Sequence, residues 1–444
     1  METDAKVAPR AALTLTEGIA LVVGIVIGIG IFKTPSIVAS NVGSEAAFVG
    51  VWALGGLVTL IGALCYAELA AAYPHSGGEY HFLSRAWGRP IAILFGWARG
   101  TVIQPGAIAA IGFVLGDYAQ QLVSLGERGP AIYALLSVLL FTGLNVVGTS
   151  EGRITQLILT ALTLAAIFAV ILTPLAVGPM AQASVQPVQG SLGLAMILVL
   201  LTYGGWNEAA YISAEMRDAR DTARTLIIGT IILTALYVLV NFAFVSSFGL
   251  EGLRQSQAPG ADLMRHAFGG YGALVLSAIV VATASSTLNG TVFTGGRIYF
   301  ALGQDLPILR KLGRWDEHGQ NPRNGILLQG CFALILVLIG SVTRDGFQAM
   351  VDYTAPVFWG FLLMVGIGLF VLRAKNPDRH LPFRVPLYPV TPLLFCATCL
   401  YMLYSSVAYT GYGALMGMGV VVLGVPLILF RSKSADHQDE ENAQ

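Results

Sequence analysis

The chain has 444 residues, of which 55% are hydrophobic and 11% are charged, and its net charge is zero. A soluble domain of this length could not cover so much apolar surface with polar groups, so the composition excludes a soluble protein and indicates one that uses lipid as its solvent. The balanced charge does not point to a nucleic-acid partner. Because backbone exposed to lipid must satisfy its own hydrogen bonds, we expect an all-α integral membrane protein.

Apolar stretches of about 20 residues recur along the chain, and each could cross a hydrocarbon layer of about 30 Å as one helix. They predict twelve transmembrane helices in a single domain over residues 1–444. An even number of spans places both termini on the same side of the membrane. The predicted spans are residues 16–40, 46–72, 91–121, 130–149, 153–178, 191–215, 223–248, 271–302, 324–342, 347–373, 386–409 and 412–431.

The distribution of Lys and Arg predicts which side faces the cytoplasm. Of the 25 Lys and Arg residues, Arg99 lies inside a span, five lie on a Lys/Arg-poor side, and the rest lie on a Lys/Arg-rich side. The five are Lys33, Arg128, Arg254, Arg265 and Arg344. Since Lys and Arg accumulate in cytoplasmic loops, we predict a multi-pass protein of the plasma (inner) membrane with both termini in the cytoplasm.

Glycines interrupt two of the predicted spans near their middles. Gly28 and Gly30 lie within the first span, and the sixth contains Thr202-Tyr-Gly-Gly-Trp-Asn207. Glycine lowers helix stability and allows the backbone to unwind, although Gly24-x-x-x-Gly28 is also a pattern used in helix packing. Two Gly-interrupted spans at corresponding positions of two halves favour an inverted-repeat transporter with its binding site at the breaks.

An unwound turn in a membrane helix suits a zwitterionic solute. The N–H groups that open the following half-helix can bind a carboxylate without any Arg. The carbonyl groups that close the preceding half-helix can accept from an ammonium group or a cation. One break could therefore bind both ends of an amino acid.

Six segments, in order along almost the whole chain, carry a resemblance to a known family. They are Gly28-Ile-Gly-Ile-Phe32 followed by Pro35, Gly62-Ala-Leu-Cys-Tyr-Ala-Glu-Leu69, Pro74-His-Ser-Gly-Gly-Glu-Tyr80, Tyr203-Gly-Gly-Trp-Asn207, Leu288-Asn-Gly290, and Arg379 to Pro389. The chain resembles the amino acid-polyamine-organocation superfamily, most closely its L-type amino acid transporters and bacterial amino acid permeases. The resemblance implies a leucine-transporter-type fold of five-plus-five inverted repeats, with repeats at about 16–178 and 191–373 and extra helices at about 386–431.

The same resemblance implies secondary active transport of amino acids by alternating access, as a cation symporter or an antiporter. It places the carboxylate-binding loop at Gly28, Ile29 and Gly30, and the amine-binding carbonyls at Val26, Leu201 and Gly204. An aromatic gate found in some relatives at the position of Leu201 is absent, so occlusion could fall to Tyr203 or Trp206. Asn207 and Gln104, the latter before a Pro that could kink the third span, complete the predicted substrate site.

A cation site is predicted from the eighth span. Thr283, Ser286 and Thr287 are spaced i, i+3 and i+4, so their hydroxyls share one helix face. With the carbonyls of Gly24 and Ile27 they could bind a sodium ion, or they could bond back to their own helix. No other cofactor is expected. Several relatives carry a coupling Lys in the fifth span, but the corresponding residue here is Thr163.

The apolar surroundings of Ile29, Leu201 and Trp206 favour neutral L-amino acids as substrates. Glu208, after the sixth-span break, could instead select a cationic amino acid or a polyamine, or it could pair with an Arg. No motif of a metalloprotease or a nucleophilic hydrolase occurs, so an enzyme is excluded. An amino acid-sensing receptor on the same scaffold stays open.

Overall fold

The computed structural model describes residues 13–75, 77–148, 153–179, 190–210, 213, 216–316, 321–343, 345–379 and 381–430. Within these residues the chain is a bundle of helices, and ten of them are long and apolar enough to cross a membrane. The helices are α1 Leu15–Val26, α2 Thr34–Ala39, α3 Glu45–Ala72, α4 Gly78–Trp87, α5 Arg89–Ala98, α6 Gln104–Leu122, α7 Gly129–Val147, α8 Arg153–Ala176, α9 Leu192–Thr202, α10 Ala219–Gln255, α11 Pro259–Asp305, α12 Arg323–Ser341, α13 Gly346–Lys375, α14 Val390–Thr410 and α15 Tyr412–Val422.

The ten candidate spans coincide with ten of the twelve predicted spans. Helices α5 and α6 together form the third predicted span, and α15 with the following 3₁₀ segment Val425–Phe430 forms the twelfth. The other two, the first and sixth, are each divided into short pieces. The all-helical membrane architecture is thereby confirmed. The total of twelve spans and the inverted repeat stay predictions.

Side-chain caps fix where several helices begin. Thr14 and Glu17 form a reciprocal capping box at the start of α1, in which each side chain bonds the other residue's backbone N–H. Ser44 caps α3 by accepting from the Ala47 N–H, and Asp345 caps α13 by accepting from the Gln348 N–H. Each cap satisfies an N–H that the first helical turn leaves without a carbonyl partner.

The predicted kink at Gln104 and Pro105 is a π-helical segment, Arg99–Ile103, between α5 and α6. Pro105 has no N–H, so it cannot donate to the carbonyl of Thr101 one helical turn earlier. The hydroxyl of Tyr353 donates to that carbonyl at 3.2 Å, and the hydroxyl of Tyr299 donates to the neighbouring carbonyl of Gly100. Two tyrosines from α11 and α13 therefore stabilise the widened turn.

Helices α10 and α11 run beyond the predicted seventh and eighth spans. Each contains one glycine with positive φ, Gly249 at 64° and Gly269 at 67°, where the helix changes direction. The segment between these bends lies between the predicted seventh and eighth spans and is largely helical. Gly260 in this segment lies against Phe32 and Tyr118, so the segment covers the Lys/Arg-poor end of the first helix.

The short helix α4 lies outside the spans on the Lys/Arg-rich side, and it carries His81 stacked on His75 at 4.2 Å between ring centroids. Burial lowers the pKa of His81 to about 4, and the neighbouring His75, Arg85 and Arg379 act in the same direction. The folded protein therefore holds this imidazole neutral over a range in which the unfolded chain binds a proton.

We expect this histidine to make the fold less stable in mild acid. Since the pKa of an unfolded histidine is about 6.5, stability should be unaffected above that pH and should decrease as the pH falls towards 4. Melting temperatures of the protein and of the His81→Gln variant, measured between pH 7.5 and 4.5, check this. The variant should lose part of the acid sensitivity, and equal curves for both proteins would contradict the assignment.

Candidate functional site

The two broken helices lie against each other. Helix α1 ends at Val26, a 3₁₀ segment runs over Ile29–Phe32, and α2 follows; α9 ends at Thr202, and a second 3₁₀ segment runs over Trp206–Ala210. Helix α2 packs against α9, and α1 packs against the second 3₁₀ segment. The first helix therefore crosses the sixth in the opposite direction, which brings the two breaks together.

Hydroxyl groups tie the two breaks together. The Tyr237 hydroxyl, from α10, donates to the carbonyl of Val26 at 2.8 Å and lies 3.3 Å from the carbonyl of Thr202. The Thr34 hydroxyl is 2.8 Å from that of Thr202 and 2.7 Å from the carbonyl of Gly30. These contacts hold the two helix ends together at positions where the backbone does not make the hydrogen bonds of a continuous helix.

The first break is a sharp change from helix to extended backbone. Gly28 has φ −90° and ψ −174°, and its N–H bonds back to the carbonyl of Val26 at 2.6 Å. The 3₁₀ segment begins with the N–H groups of Ile29 and Gly30, which precede its first internal hydrogen bond. No side chain caps this end of the segment. These two N–H groups belong to the segment predicted as the carboxylate loop, and carboxylate binding there stays a prediction. The carbonyl of Val26 already accepts from Gly28 and Tyr237, so an ammonium group would have to displace one of these donors.

The backbone conformation of the second break differs from that of the first. The Gly204 N–H bonds to the carbonyl of Leu201 at 3.0 Å, and Gly205 follows with φ of 102°. A side chain at that φ would be strained, which explains a glycine at this position. Leu201 and Gly204 are only partly buried, so the two predicted amine-binding residues of the sixth span lie at an accessible part of the site, whereas the third, Val26, is buried.

The side chains of Tyr203 and Trp206 pack against neighbouring helices. Tyr203 is fully buried between Trp52 and Tyr237, and its hydroxyl donates to the carbonyl of Trp52 at 3.0 Å. The ring of Trp206 packs edge-on against Tyr66 at 4.8 Å and lies near Phe395. In this conformation both side chains fix the sixth helix to its neighbours. Closure of the pocket by one of them stays a prediction.

A buried charge network follows the second break. Arg99, in the π segment, donates to Glu208 at 2.6 Å and to Glu79 of α4 at 3.1 Å. Glu79 also accepts from the Tyr66 hydroxyl at 2.7 Å and from the Asn207 amide at 2.9 Å. The network joins α3, α4, the third span and the second half of the sixth. Glu208 is therefore paired with an Arg, the alternative left open by the sequence.

Among the residues that the structure describes, Gln104 forms no hydrogen bond to either break. Its amide donates to the carbonyl of Thr291 at 3.0 Å and lies near the hydroxyl of Thr294. Its position joins the third span to α11 next to the π segment. Its role as a substrate residue stays a prediction.

The predicted cation residues line one small cavity of about 10 Å³, enough for a single water-sized particle. Its lining is Gly24, Ile27, Leu159, Thr160, Thr163, Thr283, Ser286 and Thr287. The hydroxyls of Thr163 and Thr283 are 2.8 Å apart, and each donor group has a helix carbonyl within reach. The donor set consists of neutral oxygens, which fits a monovalent cation in size and chemistry. The same contacts fit hydroxyls that bond only to one another and to their helices.

The Lys/Arg-poor side of the breaks is covered. Lys33, 3% exposed, forms ion pairs with Asp117 at 2.8 Å and Asp345 at 3.6 Å, which link the first helix to α6 and to the start of α13. The Tyr118 hydroxyl donates to the carbonyl of Phe32 at 2.9 Å. A solute at the breaks would therefore be shielded from this side in this conformation.

Four residues that organise the site were not predicted: Tyr237, Thr34, Thr202 and Lys33. No motif marks Tyr237 or Thr34, and Thr202 begins the Gly-interrupted segment without a pattern that assigns its hydroxyl a role, because a single hydroxyl in an apolar span is common in membrane helices. Lys33 carried a usable signal, since a charged residue within a span almost always has a partner or a function. Its two partners are distant in sequence and could not be named without the fold.

The Tyr237 hydroxyl offers a direct test of how the breaks are held. Tyr237→Phe removes the donor to Val26 and Thr202 while keeping the ring packed on Trp52. Losing a buried hydrogen bond costs about 1 kcal/mol, so we expect uptake to fall about fivefold with little change in melting temperature. Initial uptake rates in proteoliposomes check this, with Tyr409→Phe, an exposed tyrosine of α14, as control. Unchanged uptake would contradict the role of the hydroxyl.

Two broken membrane helices that cross near their middles, with a covered side and a buried charge network, define a membrane transport protein. Residues 13–425 match the family described as amino acid permease. The b(0,+)-type amino acid transporter 1 of Rattus norvegicus is 30% identical over 397 residues, which cover 86% of this chain and 80% of that protein. The chain belongs to the amino acid permease family, whose members are membrane transporters and not enzymes.

Two further relatives align over nearly the whole chain. The serine/threonine exchanger SteT of Bacillus subtilis is 27% identical, with 93% of this chain and 95% of that protein covered. The cystine/glutamate transporter of Homo sapiens is 26% identical, with 95% and 85% covered. These similarities support amino acid transport and leave the substrate and the coupling to be established.

Proposed function

We propose that this protein exchanges neutral L-amino acids across the plasma membrane by alternating access. The observation that carries the proposal is the juxtaposition of the two helix breaks, joined by Tyr237 and by the Thr34 and Thr202 hydroxyls. At such a junction, backbone N–H and carbonyl groups can bind the carboxylate and the ammonium group of an amino acid. The exchange mode is supported by the relative named as a serine/threonine exchanger.

A neutral side chain is favoured by the state of the nearby charges. Glu208 is paired with Arg99, and Lys33 is paired with Asp117 and Asp345. A charged substrate side chain would have to compete with one of these pairs. An uncharged side chain next to the partly buried Leu201 requires no such exchange of partners.

The cationic alternative has one observation in its favour. Glu79 and Glu208 share Arg99, so these three groups together carry one net negative charge, and the Glu208 side chain is 35% exposed. A cationic amino acid or polyamine could approach it from the accessible side of the break.

Counterflow in proteoliposomes tests the proposal. Vesicles that contain the purified protein are loaded with unlabelled L-serine, L-leucine, L-arginine or L-glutamate. They are then diluted into a solution of a labelled amino acid. We expect the labelled amino acid to accumulate in vesicles loaded with a neutral amino acid, and not in empty or glutamate-loaded vesicles. Accumulation driven only by arginine would favour the cationic alternative. Binding without any flux would indicate a sensor and would contradict a carrier.

Sodium-coupled symport is a second candidate, favoured by the small cavity between α1, α8 and α11. The residues that would hold the ion are Thr163, Thr283, Ser286 and Thr287, with the carbonyls of Gly24 and Ile27. A bound cation would supply positive charge beside the first break. Uptake into empty vesicles that requires an inward sodium gradient, and that Thr283→Val weakens, would establish it. Counterflow at the same rate in sodium and in potassium would exclude it.

A further inference from the structure

A cavity of about 390 Å³ lies on the Lys/Arg-rich side, away from the helix breaks. It is enclosed by the ends of α3 and α13 and by the segment that leads into α14. Its charged lining residues are Glu68, Arg373, Arg379 and Arg384. Three guanidinium groups against one carboxylate leave the cavity with a net positive charge of two.

Two of these arginines are fixed in place. Arg373 forms a bidentate ion pair with Glu68, with Nε 2.6 Å from Oε1 and Nη2 2.5 Å from Oε2. Its guanidinium lies over the ring of Tyr388, 3.8 Å from the ring centroid. Arg379 donates to the carbonyl of Ala72 and lies over the ring of Tyr73 at 4.0 Å. Stacking on aromatic rings holds a guanidinium plane while leaving part of its N–H fork directed elsewhere.

Arg384 differs from the other two. It is exposed at the cavity, and within the described part of the chain no hydrogen bond or ion pair is recorded for its side chain. The carboxylate of Glu68 is already occupied by Arg373 and by the Val385 N–H at 2.7 Å. The positive charge of Arg384 is therefore not balanced by the cavity's own acid.

The cavity lies where two candidate membrane spans end. Helix α3 ends at Ala72 and α13 ends at Lys375, and both contribute to the cavity lining. Leu387 is 79% exposed, and Leu393, in the first turn of α14, is 55% exposed. Apolar side chains of this size exposed beside a basic cavity suit the acyl chains of a lipid whose headgroup enters the cavity.

We propose that this cavity binds the phosphate of an anionic phospholipid from the adjoining leaflet. Arg384, Arg379 and Arg373 bind the phosphate oxygens, and the apolar start of α14 contacts the acyl chains. Basic pockets between transmembrane helices are suited to such headgroups, and guanidinium groups match phosphate geometry better than ammonium groups do. The lipid would link α3, α13 and α14, and its binding is independent of which amino acid is carried.

The test compares lipids and arginine variants in the full-length chain purified in detergent. Phosphatidylglycerol or phosphatidylcholine is titrated, and the number of retained lipids and the melting temperature are measured by native mass spectrometry and thermal unfolding. Phosphatidylglycerol should be retained and should raise the melting temperature, whereas phosphatidylcholine should not. Because one basic residue near a membrane surface contributes about 1 kcal/mol, Arg384→Ala should weaken retention about fivefold. Arg384→Lys, which keeps the charge but loses the guanidinium fork, should weaken it less.

The control is Arg314→Ala, which removes an exposed cation of the same side that does not line the cavity. Equal effects of Arg384→Ala and Arg314→Ala would show nonspecific charge attraction and would overturn the proposal. Equal retention of the two lipids would also overturn it. Stabilisation by millimolar inorganic phosphate alone, lost in Arg384→Ala, would assign the cavity to a soluble anion and would overturn the lipid assignment.

Discussion

Replacing Gly28 with valine is expected to abolish amino acid exchange without unfolding the protein. A Cβ added at Gly28 would meet only the carbonyl of Val26, at 3.7 Å, and the extended φ and ψ of this residue suit a β-branched side chain. The added methyl groups would occupy the open space beside the N–H groups of Ile29 and Gly30. A carboxylate could then no longer reach these donors.

The expected effect is large because hydrogen bonds to a charged group are strong. Losing two of them costs about 3 kcal/mol or more, which corresponds to an affinity reduced about 100-fold. Counterflow rates and melting temperatures of Gly28→Val are compared with those of Gly143→Val, a glycine of α7 with open space around it. The control should exchange normally. If Gly28→Val exchanges amino acids at the rate of the unmodified protein, the break does not bind the carboxylate.

Replacing Arg99 with alanine is expected to cause the largest loss of stability among single changes near the site. The change leaves Glu79 and Glu208 without the cation they share, in positions where their side chains are 6% and 35% exposed. Removing one partner of a buried ion pair typically costs about 3–5 kcal/mol, because the remaining charge stays buried. The melting temperature should fall accordingly, and transport should fall with it because the network holds the second half of the sixth helix.

Two companion variants separate this role from a general effect of charge. Glu208→Ala leaves Arg99 and Glu79 as a balanced pair, so its effect should be clearly smaller. Arg224→Ala breaks an exposed pair with Asp221, in which Arg224 is 62% exposed, and should cost less than about 1 kcal/mol. Melting temperatures of the three variants should fall in this order. A melting temperature for Arg99→Ala equal to that of Arg224→Ala would contradict the importance of the network.

Much of the fold could be predicted because the bilayer imposes strong local rules. The length of each apolar stretch fixed ten spans, and the glycines at 28 and 204–205 marked both breaks, since an interrupted membrane helix needs residues that tolerate non-helical backbone. Thr283, Ser286 and Thr287 of α11 line one small cavity, because helical spacing places i, i+3 and i+4 on one face, and cation binding there stays a prediction. Local chemistry was sufficient for each of these features.

Features that depend on contacts between distant helices could not be predicted. Tyr203 and Trp206 lie next to the break in sequence, but packing turns their rings towards α3 and, for Trp206, towards α14. Arg99 can pair with Glu79 and Glu208 only when the third span, α4 and the sixth helix are in contact. The spacing of residues along the sequence does not predict this contact. The extension of α10 and α11 past the predicted spans could not be predicted, because the polar sequence between these spans is equally typical of a loop.

The central claim is that main-chain groups at the two breaks bind both charged ends of an amino acid. Inhibition of counterflow by analogues tests it most directly, using the amino acid that supports exchange, its amide and the corresponding 2-hydroxy acid. The amide lacks the carboxylate and the hydroxy acid lacks the ammonium group, so both should inhibit about 100-fold more weakly than the amino acid itself. If either analogue inhibits as strongly as the amino acid, the breaks do not bind that end of the substrate and the account is wrong.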